Sequence, residues 1–226
     1  MVLLPGIGMS HRYLARLHVE LARNSRVASF DLPGFGGTRR PRGRMEVSDY
    51  AHVVASALEE WGGGPVTLVG HSMGTQFATE VARVRPDLVR RLVLMSPVVD
   101  ERRRNLAQQA LALGLDSVVE SAGANAIVFS DYLRTGLRWY LKELPAMLGY
   151  PTDERLAHVR THTLVLRGAL DPVAGDRWCR TLASVAHGGR LVVVEGAAHV
   201  VQHTHTGQVA AAIRAFSRGE TVGETV

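Results

Sequence analysis

Residues 66–82 read VTLVGHSMGTQFATEVA. A short apolar run at 66–69 turns through Gly70-His71-Ser72-Met73-Gly74 and continues with helical periodicity. Gly-x-Ser-x-Gly between a strand and a helix is the nucleophile-elbow pattern, and its chemistry asks for these residue types. The serine occupies a strained turn that exposes its hydroxyl. Gly70 and Gly74 are small where strand and helix nearly touch. The following helix N-terminus aims N–H groups and partial positive charge at the same point.

A serine hydroxyl is a poor nucleophile until a base takes its proton. The expected chain order is serine, acid, histidine. TLVLRGALDPVAG at 163–175 puts Asp171 after an apolar run, and LVVVEGAAHVV at 191–201 puts His199 after the next. Both positions follow strand candidates at their carboxyl ends, the edge where open parallel sheets bind ligands. Asp100, which follows the run at 92–95, is the rival acid; Gly168-x-x-Asp171 has the better context. Of ten histidines, His71 is expected beside the serine but turned away. His199, His203 and His205 have no carboxylate or cysteine to complete a metal site, so no metal is expected.

Outward from these motifs, apolar runs alternate with amphipathic segments. Strand candidates are 2–4, 26–30, 66–69, 92–95, 163–167 and 191–194, mostly short continuous runs suited to strands buried on both faces. Helix candidates are 11–23 with Ser10 as cap, a segment capped by Ser48 with Tyr50, Val53, Val54, Ala57, Leu58 and Trp61 inward, 72–85, 175–186 and 206–217. The alternation predicts an α/β fold: a mostly parallel, doubly wound sheet of about six strands with helices on both faces. From 98 to 160 there are only helix-like segments, including 101–113 and the aromatic-rich 124–144. That stretch predicts a helical cap, which leaves 1–97 and 161–218 as the core and 219–226 as a loose C-terminal tail.

At 226 residues one domain with a good core is expected. The net charge is +5, and all basic residues but Lys142 are arginine. The clusters Arg39, Arg40, Arg42, Arg44 and Arg102, Arg103, Arg104 read as solvated surface, because no nucleic-acid motif accompanies them. There is no apolar run long enough to span a membrane and no basic region ahead of an apolar run, so a cytoplasmic protein without membrane or nucleic-acid partners is expected. The lone Cys179 excludes an internal disulfide and reads as a core thiol.

LLPGIGMSH at 3–11 admits two readings. Gly6-x-Gly8 after a strand, with Asp31 about 20 residues on, fits a dinucleotide loop. His11 stands where the third glycine belongs, however, and the elbow and its partners would go unexplained. The other reading makes this loop half of an oxyanion hole.

Together LLPGIG, DLPGFGGT, GHSMG, RGALDPV and GAAHVV occur in the order of the α/β-hydrolase superfamily and cover nearly the whole chain, which resembles its small, cofactor-independent, capped esterases and lactonases. The resemblance implies a Ser72–His199–Asp171 triad, an oxyanion hole from the backbone N–H groups of Ile7 and Met73, and no cofactor. Many members carry His-Gly where this chain has Pro5-Gly6, a departure that bears on loop geometry. The family has two further strands before the one ending at Leu4, so either a fold lacking the first two is expected or the natural start lies upstream of Met1. Their loss leaves 26–30 at the sheet edge, which predicts homodimerisation through it or covering by another part of the chain. The expected activity is that of a serine hydrolase on a small, largely apolar ester or lactone. Thioesterase, carbon–carbon hydrolase and perhydrolase chemistry use the same triad, and a hydrolase-like ligand-binding protein is the non-enzymatic alternative. Phe129, Tyr132, Trp139 and Tyr140 lie in one helix-like run and are expected to line the acyl pocket or to pack the cap on itself.

Overall fold

The computed structural model describes residues 1–100 and 120–225. Six parallel strands, β1 (Val2–Leu4), β2 (Ala28–Ser29), β3 (Val66–His71), β4 (Val89–Met95), β5 (Thr163–Gly168) and β6 (Arg190–Val194), form one sheet. Their spatial order is β2-β1-β3-β4-β5-β6. Successive side chains of a strand point to opposite faces, and both faces here are covered. Val2 and Leu4 of β1, Leu68 of β3, Leu92 and Leu94 of β4 and Val165 of β5 enter one apolar cluster. Leu3, Val69, Val93, Met95, Leu164 and Leu166 enter the other. That is why the strands read as unbroken apolar runs rather than alternating ones.

Helices α2 (Val47–Trp61), α3 (Gly74–Val84) and α7 (Asp176–Val185) supply Tyr50, Leu58, Phe77, Trp178 and Leu182 to the first cluster. Helices α1 (Ala15–Ala22) and α8 (Thr206–Arg218) supply Leu17, Leu21, Val209, Ile213 and Phe216 to the second. Each fully buried side chain of this kind contributes about 1.5–3 kcal/mol, so the sheet is held from both sides.

The first helical segment begins as a 3₁₀ turn, His11–Leu14, whose cap Ser10 accepts from Arg12 N. Ser48 does not cap α2. It lies inside the helix, and Glu46 and Asp49 form a reciprocal capping box instead, with Glu46 N donating to Asp49 Oδ2 at 2.8 Å. Carboxylates serve here as well as a hydroxyl because they also meet the positive end of the helix dipole. Val53 faces solvent, while Ala51 and Ala55 join Tyr50, Val54 and Leu58 inside.

Between β4 and β5 lie α4 (Ala122–Thr135), α5 (Leu137–Gly149) and the short α6 (Thr152–Leu156). The expected helix at 101–113 lies outside the described residues. The expected single run at 124–144 is broken at Gly136, whose φ of 76° no ordinary helix residue adopts. Gly136 N closes α4 on Tyr132 O, and Trp139 N opens α5 on Gly136 O.

Edge strand β2 is shorter than 26–30, and Arg26 lies outside it with its guanidinium 4.0 Å over the Trp61 ring. At the opposite edge residues 224 and 225 lie along β6 rather than running loose. Val193 N donates to Glu224 O at 2.8 Å, and Thr225 bridges β6 in parallel. Among the described residues no helix is long and apolar enough to cross a membrane.

Candidate active site

The elbow between β3 and α3 is built by contacts too close for side chains. A Cβ on Gly70 would stand 2.2 Å from Gly74 O, and one on Gly74 would stand 2.5 Å from Leu4 O. Ser72 adopts a φ of +54°, rare for a residue with a side chain. It is held there because Ser72 N donates to Met95 O and Ser72 O accepts from both Thr75 N and Thr75 Oγ1. Strain at such a position persists only when its surroundings over-determine it. Gly6, from the loop after β1, comes so near that its own Cβ would stand 2.9 Å from Ser72 Cβ.

The loops after β5 and β6 meet in the same way. A Cβ on Gly168 would lie 2.3 Å from Ala197 O. That approach brings Asp171 and His199 together, with His199 Nδ1 3.0 Å from Asp171 Oδ2 and both side chains buried. Val173 N and Ala174 N donate to Asp171 Oδ1 at 2.8 and 2.9 Å. Burial alone would push this carboxyl up; His199 and the two backbone N–H groups outweigh it and hold the carboxyl down at about 2. The partner of Nδ1 is an ionised carboxylate, so that nitrogen carries the proton and Nε2 is the basic one. Asp100 is engaged elsewhere, accepting from Arg177 Nη2 at 2.6 Å.

His71 does more than the sequence indicated. It is fully buried, its ring packs edge-on against both His199 and Tyr13, and its Nε2 donates to His199 O at 3.0 Å. Ser96 Oγ donates to the same carbonyl at 3.1 Å. Burial, and then the neighbouring His199, push His71 down to about 3, so it stays neutral at working pH. Glu120 accepts from Val200 N, the next amide along. The only sequence sign of this support was a histidine at the first x of Gly-x-Ser-x-Gly.

Ser72 and His199 open on a cavity of about 460 Å³ whose walls include Ile7, Met9, Val98, Val128, Phe129 and Met147. Tyr132 and Tyr140 also line it; Trp139 does not. The Trp139 indole instead covers Gly34, where a Cβ would meet Nε1 at 2.3 Å, so this aromatic packs the loop after β2. Among the described residues no Lys, Arg, Asp or Glu lines the cavity, and no protein acceptor takes the N–H of Ile7 or of Met73. Asp31, the candidate ribose acid, is occupied: its two oxygens meet His11 N and His11 Nδ1, each at 2.6 Å.

The profile of the alpha/beta hydrolase family matches residues 1–212. The chain belongs to that family. As an alpha/beta hydrolase it is an enzyme with hydrolytic chemistry. It is 25% identical, over 96% of its length and 89% of the relative's, to the (E)-2-((N-methylformamido)methylene)succinate hydrolase of Acinetobacter baylyi. Among solved structures it resembles a thermophilic esterase from Thermogutta terrifontis, with a TM-score of 0.83 at 22% identity, covering 96% of this chain and 89% of that one. It also resembles the enol-lactonase from Burkholderia xenovorans LB400, with a TM-score of 0.80 at 19% identity, covering 95% and 90%. At those identities the structural likeness speaks for the alpha/beta hydrolase fold alone.

Proposed function

We propose that this hydrolase cleaves a carboxylic ester or lactone with a small, largely apolar acyl part, through an acyl-enzyme on Ser72. The observation that carries the reading is one cavity joining Ser72, on its strained elbow, to a His199 whose Nδ1 lies 3.0 Å from a buried Asp171. In this mechanism His199 Nε2 takes the Ser72 proton as the hydroxyl attacks the carbonyl, then returns it to the leaving group. Asp171 fixes the ring and stabilises its charged form. The N–H groups of Ile7 and Met73 hold the oxyanion, and water releases the acid by the reverse path. The apolar, uncharged lining among the described residues favours a neutral substrate over a dicarboxylate such as the one named for the Acinetobacter relative, because a buried carboxylate needs a partner.

The test is labelling with a fluorophosphonate followed by turnover on a panel of esters, lactones and thioesters. Ser72 is expected to carry the label, and Ser72→Ala to lose both label and turnover. Ester turnover that survives Ser72→Ala, or a label on another serine, overturns the reading.

A further inference from the structure

Three buried hydrogen bonds join α4 to the loop after β1. Ser10 N and Ser10 Oγ both donate to Asp131 Oδ2, each at 2.8 Å. Thr135 Oγ1 donates to Gly8 O at 2.7 Å. Asp131 and Thr135 are one helical turn apart and therefore on one face; both are almost fully buried. Between them in sequence, Tyr132 lies against Gly8, where a Cβ would stand 2.9 Å from Tyr132 Cε1 at a φ of +79°. Tyr140 of α5 backs Tyr132, with ring centroids 5.1 Å apart.

The loop is thus gripped on both sides of Ile7. Gly6 is held against Ser72 by the sheet, and Gly8 to Ser10 are held by α4. The amide between these anchors has no protein acceptor among the described residues. We propose that Asp131 and Thr135 are positioning residues for the Ile7 N–H, so that the helices inserted between β4 and β5 set the geometry of the oxyanion donor as well as walling the cavity. This rests on the acyl-enzyme reading above. The arrangement suits the task. A buried carboxylate receiving two donors from one residue makes strong, directional bonds, and a misplacement of 1 Å near reacting atoms costs about 100-fold in rate. Ground-state binding uses the apolar walls, which these bonds do not form.

Thr135→Val, Asp131→Asn and Asp131→Ala test the inference, assayed with a p-nitrophenyl ester well below each variant's Tm and titrated with a trifluoromethyl ketone transition-state analogue. Thr135→Val and Asp131→Ala are expected to lower kcat by about 10–100-fold, with KM within about threefold. The ketone's affinity should fall in step with kcat/KM. Asp131→Asn, which keeps an oxygen acceptor, is expected to recover part of the loss. Should Asp131→Ala not fold, the isosteric Thr135→Val carries the same prediction. Variants that lose Tm while keeping wild-type kcat and ketone affinity overturn the inference alone. A wild-type protein that fluorophosphonate leaves unlabelled at Ser72 overturns the acyl-enzyme reading beneath it.

Discussion

The cavity has two unlike walls. On the sheet side, backbone meets backbone: Gly70 on Gly74, Gly74 on Leu4, Gly168 on Ala197. On the helical side, α4 and α5 reach the site through side chains, namely Asp131, Tyr132, Thr135 and Tyr140. A backbone approach below 3 Å tolerates glycine alone, so the first wall writes itself into the sequence and permits little change. Side-chain contacts at helical spacing can be made by many residue pairs, so the second wall leaves no fixed motif and is free to vary with substrate. Substitutions on the sheet side should therefore strike the chemical step; on the helical side, only those at Asp131 and Thr135, which grip the loop after β1, should do so, and those at residues that merely line the cavity should redistribute selectivity.

The largest effect that separates the walls is expected at Asp171. In the proposed mechanism Asp171→Asn removes the charge that fixes the His199 tautomer and should lower kcat by about 10,000-fold. Asp100→Asn is the matched control. It weakens a pairing with Arg177 and should leave kcat within a few-fold of wild type. A mild Asp171→Asn with a severe Asp100→Asn would move the acid to the loop after β4.

Next in size is Ile7. Its working part in the proposed mechanism is the backbone N–H, so Ile7→Ala should keep most activity. Ile7→Pro removes the donor and should cost about 100–1000-fold in kcat. Circular dichroism and an unchanged Tm establish that the proline variant is folded. A folded Ile7→Pro enzyme at full activity takes this amide out of the oxyanion hole.

The same contrast explains what could be read before the structure. Most of the strands were legible because burial on both faces demands unbroken apolar runs, whereas the half-buried edge strand β2 was overextended, and Ser72, Asp171 and His199 stood out because each follows such a run beside a glycine that must be there. What stayed hidden depends on partners distant in sequence. Nothing near Trp139 says that it covers Gly34 rather than the cavity, and nothing near Asp131 points to Ser10, 121 residues away. Gly136 was visible as a glycine, yet its break of the aromatic run depends on a φ that composition alone does not reveal. The cap of α2 stayed hidden because Ser48 is the commoner capping type, while here Glu46 and Asp49 satisfy each other's backbone N–H groups as a pair.

A smaller effect concerns His71, on the sheet side but outside the reacting atoms. Its folded pKa is about 3 against an ordinary 6.5, because burial opposes its charge. The unfolded chain therefore takes up a proton below pH 6.5 that the folded chain refuses. The contribution is fully present above pH 6.5 and is lost as the pH falls towards 3, at up to about 1.4 kcal/mol per pH unit. His162 and His203, also lowered by burial, act in the same direction. His71→Gln keeps an N–H donor for His199 O but cannot titrate. Urea unfolding between pH 7.5 and 4 should show a shallower loss in His71→Gln than in wild type. Parallel curves would assign the acid sensitivity to the other histidines.

The smallest effect is expected on the helical wall, at Phe129. Its ring lines the cavity while 65% exposed, so it stands at the mouth and covers only part of a bound acyl chain. On the proposed acyl-enzyme reading, short acyl groups end before reaching it and longer ones lie against it. Truncation removes apolar contact from the long substrates alone, and at about 25 cal/mol per Å² a half-covered ring is worth about 1 kcal/mol or less. Phe129→Ala should therefore leave kcat/KM for an acetyl ester near wild type and lower that for a hexanoyl ester by about three- to fivefold. Trp139→Ala supplies the contrast within the same pair of helices. Its indole is buried over Gly34 and outside the cavity, so its loss should lower Tm and leave the hexanoyl-to-acetyl ratio unchanged. A ratio that moves with Trp139 and not with Phe129 would reverse the assignment of packing and lining residues. A ratio that moves with neither would place the acyl-selective surface among the other lining residues, Tyr132, Tyr140 and Met147 on the helical side or Ile7, Val98 and Val173 on the sheet side.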